Sequence, residues 1–137
     1  MNSAPLLDTH AWIWWVDHDP RLGRRFLDAL DGLPAEVRPA ISDISLWEVA
    51  TLVERGRVRF RVPLGEWLQA AAHPRTVLVL PITPAIAEEI ALLPTNFHRD
   101  PADRVIVATS RTHNMPLLTQ DRLILASRLV PRWQPSR

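Results

Sequence analysis

Two leucine-rich stretches of the chain run into an acid: PLLD at residues 5–8 and PLLTQD at residues 116–121. Glu48 follows the apolar segment RPAIS within SLWEVATLVERG, and Asp103 stands in HRDPAD. In an open parallel sheet the carboxyl ends of the strands border the crevice where ligands bind, so Asp8 and Asp121 are expected to point into one site. Glu48 and Asp103, each near the start of a helix, fall at the same edge. Carboxylates brought this close raise one another's pKa unless a cation neutralises them. Oxygen donors without any cysteine point to Mg²⁺ or Mn²⁺, which can lower the pKa of a bound water and offset charge on a phosphodiester under attack. The chemistry suggested is phosphodiester hydrolysis.

Each acid also has a purely structural reading. Glu48 lies three residues after Ser45, the spacing of a capping box in which serine and glutamate satisfy free N–H groups of the first turn. Asp8, Asp103 and Asp121 fit helix N-caps as well. The functional reading rests on their convergence.

The elements that must position these acids follow from the apolar pattern. Residues 4–7 read as a short buried strand and THAWIWWVDHD as a helix ending near Asp19 and Pro20. RLGRRFLDALDGL reads as one helix stopped at Gly32, RPAIS as a strand, and SLWEVATLVERG as a helix from an N-cap at Ser45 to Gly56. RVRFRV at 57–62 alternates as a strand does, and Pro63 can open a helix at its first position. TVLVLPI is a strand, PAIAEEIALL a helix closed by Pro94, and DRVIVATSRTHN a helix. PLLT is a strand, DRLILAS a helix and RLVPRW a last strand. Strands separated by helices predict an α/β fold, a parallel sheet with helices on both faces.

At 137 residues, 47% hydrophobic and 23% charged, the chain has the size and composition of one globular domain. Its apolar runs are too short to span a bilayer and no signal sequence opens it, so a cytoplasmic location is expected. All 16 basic residues are arginine. The lack of lysine excludes Schiff-base and P-loop chemistry.

LLDTHAWIWW, SDISLWEVATLVERGRVRF, HRDPADRVIVATS and PLLTQDRLI together resemble the successive motifs of PIN-domain proteins, closest to the VapC-like toxins of bacterial type II toxin-antitoxin pairs. The resemblance covers nearly the whole chain and implies a single PIN-like ribonuclease domain over 1–137, a three-layer α/β/α sandwich with a central parallel sheet. It further implies a Mg²⁺- or Mn²⁺-dependent endoribonuclease acting on transfer or ribosomal RNA, an antitoxin partner, and homodimers that join the antitoxin in a hetero-oligomer. By position, Asp8, Glu48, Asp103 and Asp121 match the family's acids. Asp8 and Asp103 would contact the metal most directly, Glu48 directly or through water, and Asp121 would support the site or a second metal. Thr119 matches the hydroxyl of a T-x-D pattern and would orient Asp8 or a water, while Asp100 would support the site from behind. His98 and His10 are left outside the catalytic set, because a metal water needs no histidine.

An acidic pocket repels a polyanion, so phosphate contacts must come from elsewhere. Arg57, Arg59 and Arg61 would share one face of an extended segment and could meet RNA, an acidic antitoxin or solvent. Arg104, beside Asp103, is a separate candidate for a phosphate, an inhibitor carboxylate or a structural ion pair. Successive residues of a helix are about 100° apart, so Trp12, Trp14 and Trp15 cannot all be buried on one narrow face. Exposed members, with Trp47, would anchor a partner, the alternative for Trp12 and Trp47 being the core. Receiver domains and haloacid-type phosphatases are weak rivals, since both need a lysine. A non-catalytic RNA-binding or scaffold protein on the same fold is the alternative from a different class.

Overall fold

In the computed structural model, which describes residues 4–135, very short strands carry apolar side chains on both faces. β1 (Leu6–Leu7), β2 (Ala40–Ser42), β3 (Leu78–Leu80) and β4 (Leu117–Leu118) form one parallel sheet in the order β3-β2-β1-β4. Leu6 pairs with Ala40 and Leu117, and Leu7 with Ile41 and Leu118. Successive side chains of a strand point to opposite faces. The row Leu7, Ile41, Leu118 therefore enters a first core and the row Leu6, Ala40, Leu117 a second. A sheet covered on both faces needs such unbroken apolar runs.

Among the described residues seven helices supply the covering: α1 (Thr9–Val16), α2 (Arg24–Asp31), α3 (Ile44–Glu54), α4 (Leu64–Ala71), α5 (Pro84–Leu92), α6 (Pro101–His113) and α7 (Arg122–Ser127). Trp12 and Ile13 of α1, Leu30 of α2, Val49 of α3 and Trp67 of α4 pack on the first core. Ile106 and Val107 of α6 and Ile124 of α7 pack on the second. This is the expected α/β/α arrangement, with strand order reversing at β1. None of the helices is long and apolar enough to cross a membrane.

Several elements differ from expectation, each for a physical reason. RLGRRFLDALDGL is a 3₁₀ turn (Pro20–Leu22) and then α2, broken at Gly23, whose φ of 101° no helix can hold. RVRFRV joins no sheet; its alternation instead lays Val58 and Phe60 on the first core, with Phe60 stacked 4.1 Å from Trp67. Pro63 is the N-cap of α4 rather than its first residue. RLVPRW reduces to one bridge, Leu117 with Arg132, because Pro131 has a carbonyl to offer but no N–H.

Trp12 answers the question of the tryptophans in one direction. It is fully buried, donates its indole N–H to the Ala71 carbonyl at 3.0 Å and meets Trp67 edge-on at 5.1 Å. It is core and cannot anchor a partner. Trp47, 53% exposed on α3, is not core. Trp15 is half-buried and donates to Asp31 Oδ1 at 2.9 Å. Replacing Trp12 with Ala should therefore destabilise the fold by about 3–5 kcal/mol, whereas Trp47→Ala should stay within about 0.5 kcal/mol, as read from denaturant unfolding of the two variants.

Candidate metal centre at the carboxyl edge of the sheet

Asp8 leaves β1 in an extended conformation and caps α1, its Oδ1 accepting the Ala11 N–H at 2.8 Å. Its Oδ2 accepts a hydrogen bond from the buried Thr119 hydroxyl. Thr119 Oγ1 in turn accepts the Asp121 N–H at 3.0 Å, and Asp121 Oδ1 caps α7 through the Ile124 N–H at 3.0 Å. One hydroxyl thus couples the ends of two neighbouring strands, β1 and β4. Capping and cleft-lining are compatible here, because a carboxylate offers about four acceptor sites and a cap uses one.

Glu48 reaches the same place along α3. The capping-box reading fails, since Ser45 lies inside the helix and its buried hydroxyl is 2.9 Å from that of Thr9. The first free N–H of α3, that of Ile44, goes to Ser42 Oγ at 3.1 Å instead. The Thr9–Ser45 contact fixes α1 against α3, and Glu48, one turn further on, faces the cleft. Asp103 arrives from the opposite side in the first turn of α6. The cap of α6 is Asp100, whose Oδ1 accepts the Asp103 N–H at 2.9 Å, with Pro101 at the first helical position.

Asp8, Thr9, His10, Trp14, Glu48, Asp103, Gln120 and Asp121 line one cleft of about 260 Å³. All four acids expected from the sequence border it, with Thr119 behind Asp8 and Asp100 behind Asp103. Three helices, α1, α6 and α7, begin at these acids, so the positive ends of their dipoles face the cleft and offset part of the charge. The offset is incomplete. Burial first, then the Asp100, Asp121, Glu48 and Asp8 carboxyls, push Asp103 up to about 8. Burial also raises Asp8, against the Thr119 and Ala11 hydrogen bonds, and raises Glu48, against the Thr9 hydroxyl.

The tightest group of potential ligands is not the four acids. One ligand atom each from His98, Asp103 and Asp121 lie within 4.8 Å of one another, and His98 Nε2 is 3.3 Å from Asp103 Oδ2. His98 was left outside the sequence-derived set, and only its nearness in HRDPAD to Asp103 hinted at it. Gln120 on the cleft wall carried no signal, and Trp14 reads from the sequence as a partner anchor or core residue rather than as part of that wall. An oxygen-rich donor set with one imidazole suits a hard divalent cation, which would also relieve the repulsion that lifts Asp103.

Arg104 spends three of its five N–H groups on the protein itself. Its guanidinium donates to the carbonyls of Phe97, His98 and Ile90 at 3.2, 3.3 and 3.4 Å, holding the loop before α6. Its ion-pair reading fails, since its hydrogen bonds go to carbonyls alone. Arg57, Arg59 and Arg61 are exposed, and none is ion-paired among the described residues.

The raised Asp103 sets a pH dependence. Between its ordinary 3.8 and about 8, the unfolded chain has lost this proton while the folded chain keeps it. Stability present at low pH is therefore lost as pH rises, by at most about 1.4 kcal/mol per unit for one site. In EDTA, Asp103→Asn should gain on the wild type steadily from pH 4 to 8 and level off above, measured as the difference between their thermal midpoints.

Comparison with known proteins gives the geometry its relatives. The family model described as PIN domain matches residues 6–126. Ribonuclease VapC22 of Mycobacterium tuberculosis (strain ATCC 25618 / H37Rv) is 38% identical over 127 residues, covering 92% of this chain and 93% of the relative, which bears out the VapC-like resemblance. Among solved structures, VapBC2 from Rickettsia felis bound to a DNA fragment from its promoter superposes with a TM-score of 0.73 at 15% identity, covering 95% of this chain and 97% of that one. A toxin-antitoxin complex from Klebsiella pneumoniae gives 0.64 at 24%, covering 97% and 98%. At such identities the structural likeness is one of fold. The family assignment rests on the matched span and on the 38% identical relative, and by both the chain belongs to the PIN domain family.

Proposed function

We propose that this chain is a metal-dependent endoribonuclease, a single PIN-type domain acting as the toxin of a toxin-antitoxin pair. The observation that carries this reading is the set of four carboxyl groups, from four separate elements, facing one cleft at the carboxyl edge of the sheet. Its 38% identity to a ribonuclease supports the choice of RNA as substrate.

Asp8, Glu48, Asp103 and Asp121 would hold Mg²⁺ or Mn²⁺. When bound, the ion supplies a water of lowered pKa and offsets charge on the phosphodiester under attack. Asp103 would have to be ionised to serve as a ligand, Thr119 holds the Asp8 carboxylate in place, and Asp100 sets the first turn of α6. Hydrolysis breaks the bond to the 3′ oxygen, leaving 5′-phosphate and 3′-hydroxyl ends. The target is transfer or ribosomal RNA, whose cleavage stops translation and growth in the cytoplasm. Arg57, Arg59 and Arg61 on the 57–62 arm steer RNA or meet the antitoxin, and exposed Trp47, with Trp15 beside it in role, anchors that antitoxin on a homodimer.

Purified, antitoxin-free protein incubated with structured RNA should cut it in Mg²⁺ or Mn²⁺ and not in EDTA. Asp8→Ala and Asp103→Ala should each lower the rate by about 100-fold or more. End-mapping should find 5′-phosphates at every cut. Equal behaviour of wild type and variants across metals and RNAs would instead mark a non-catalytic RNA-binding or scaffold protein.

A further inference from the structure

We propose that His98, which lines the adjoining cavity with Phe97 and Leu123 and reaches Asp103 from there, supplies an imidazole nitrogen to the cation held by Asp103 and Asp121, so that the ion is gripped through mixed nitrogen and oxygen donors. This rests on the metal reading above and adds a ligand outside the four acids. The first support is distance. Donors about 2.1 Å from a shared ion sit roughly 3 Å apart in adjacent positions, and His98 Nε2 is 3.3 Å from Asp103 Oδ2. Asp121 closes the group within 4.8 Å.

The second support is an unused donor atom. Nε2 of His98 is shut off from solvent and, although close to Asp103, is aligned for a hydrogen bond with no partner among the described residues. A buried polar atom in that state calls for an occupant such as an ion. The third is rigidity. Arg104 ties the carbonyls of Phe97 and His98 to α6, the helix that carries Asp103, and the Phe97 ring meets the imidazole edge-on at 4.6 Å. Loop and helix therefore present His98 and Asp103 as one unit. Carboxylates alone suit Mg²⁺, whereas an added imidazole tilts preference toward transition ions, here Mn²⁺.

The test is Mn²⁺ bound to the full chain, read by pulsed EPR and by calorimetric titration against Mg²⁺. Wild type should show coupling to a coordinated imidazole nitrogen that changes pattern with ¹⁵N-histidine. His98→Gln should still bind Mn²⁺ but lose that coupling, and its preference for Mn²⁺ over Mg²⁺ should drop about tenfold. His10→Gln should keep the coupling, which assigns the nitrogen without any change at residue 98 should the His98 variant fold poorly. Mn²⁺ bound to wild type without nitrogen coupling, or coupling lost only in His10→Gln, would overturn the role of His98 and leave the carboxylate site standing. No Mn²⁺ binding at all would overturn both.

Discussion

Crowding of carboxyl groups at the carboxyl edge of the sheet, with desolvation first and mutual repulsion second, is the constraint on which the rest of the molecule depends. The carboxyls of Asp8, Glu48 and Asp103 are all pushed up from their ordinary values, with burial as the largest cause in each. Neighbouring acids then add to the burden, most of all at Asp103. Beyond the helix caps supplied by Asp8 and Asp121, such crowding costs stability. The fold holds together because protons can neutralise the cluster when no cation does, and because other parts of the chain hold the acids in place.

Those parts are the two cores. Rows of side chains from strands two or three residues long lock α1, α3 and α4 on one face and α6 and α7 on the other. The acids sit where these helices begin or within a turn of it, so each carboxyl is aimed by a helix whose opposite side is buried. Thr119 adds a direct tie, accepting from one acid's backbone while donating to the other's carboxylate. Ser45 and Thr9 play the equivalent part between α1 and α3. Small hydroxyl side chains fit these buried junctions, where a longer polar group would demand more room and more partners.

The acids were legible in the sequence because a leucine run that stops at a carboxylate marks a strand end, and the strand end is where a parallel sheet opens. Cap and cleft had looked like rival readings of Asp8 and Asp121, and they coexist because each carboxylate has acceptor sites to spare. The S-x-x-E spacing at Ser45 misled, since Ser42, just before the helix, had already taken the first N–H. Alternation in RVRFRV was real but lacked a partner strand, and Phe60 found Trp67 instead. His98 could not be read from spacing at all. Its place beside Asp103 comes from the Arg104 clamp, a contact between guanidinium and loop carbonyls that leaves no pattern in the sequence.

If protons stand in for a cation in this cleft, a cation that binds there must expel them. Titrating Mg²⁺ into the protein at pH 7 by calorimetry, in two buffers of different ionisation enthalpy, counts the protons that leave as the ion enters. About one proton or more should be released per bound ion, since Asp103, pushed up to about 8, must ionise to serve as a ligand. Binding heats that do not depend on the buffer would mean that no proton leaves, and would contradict the account.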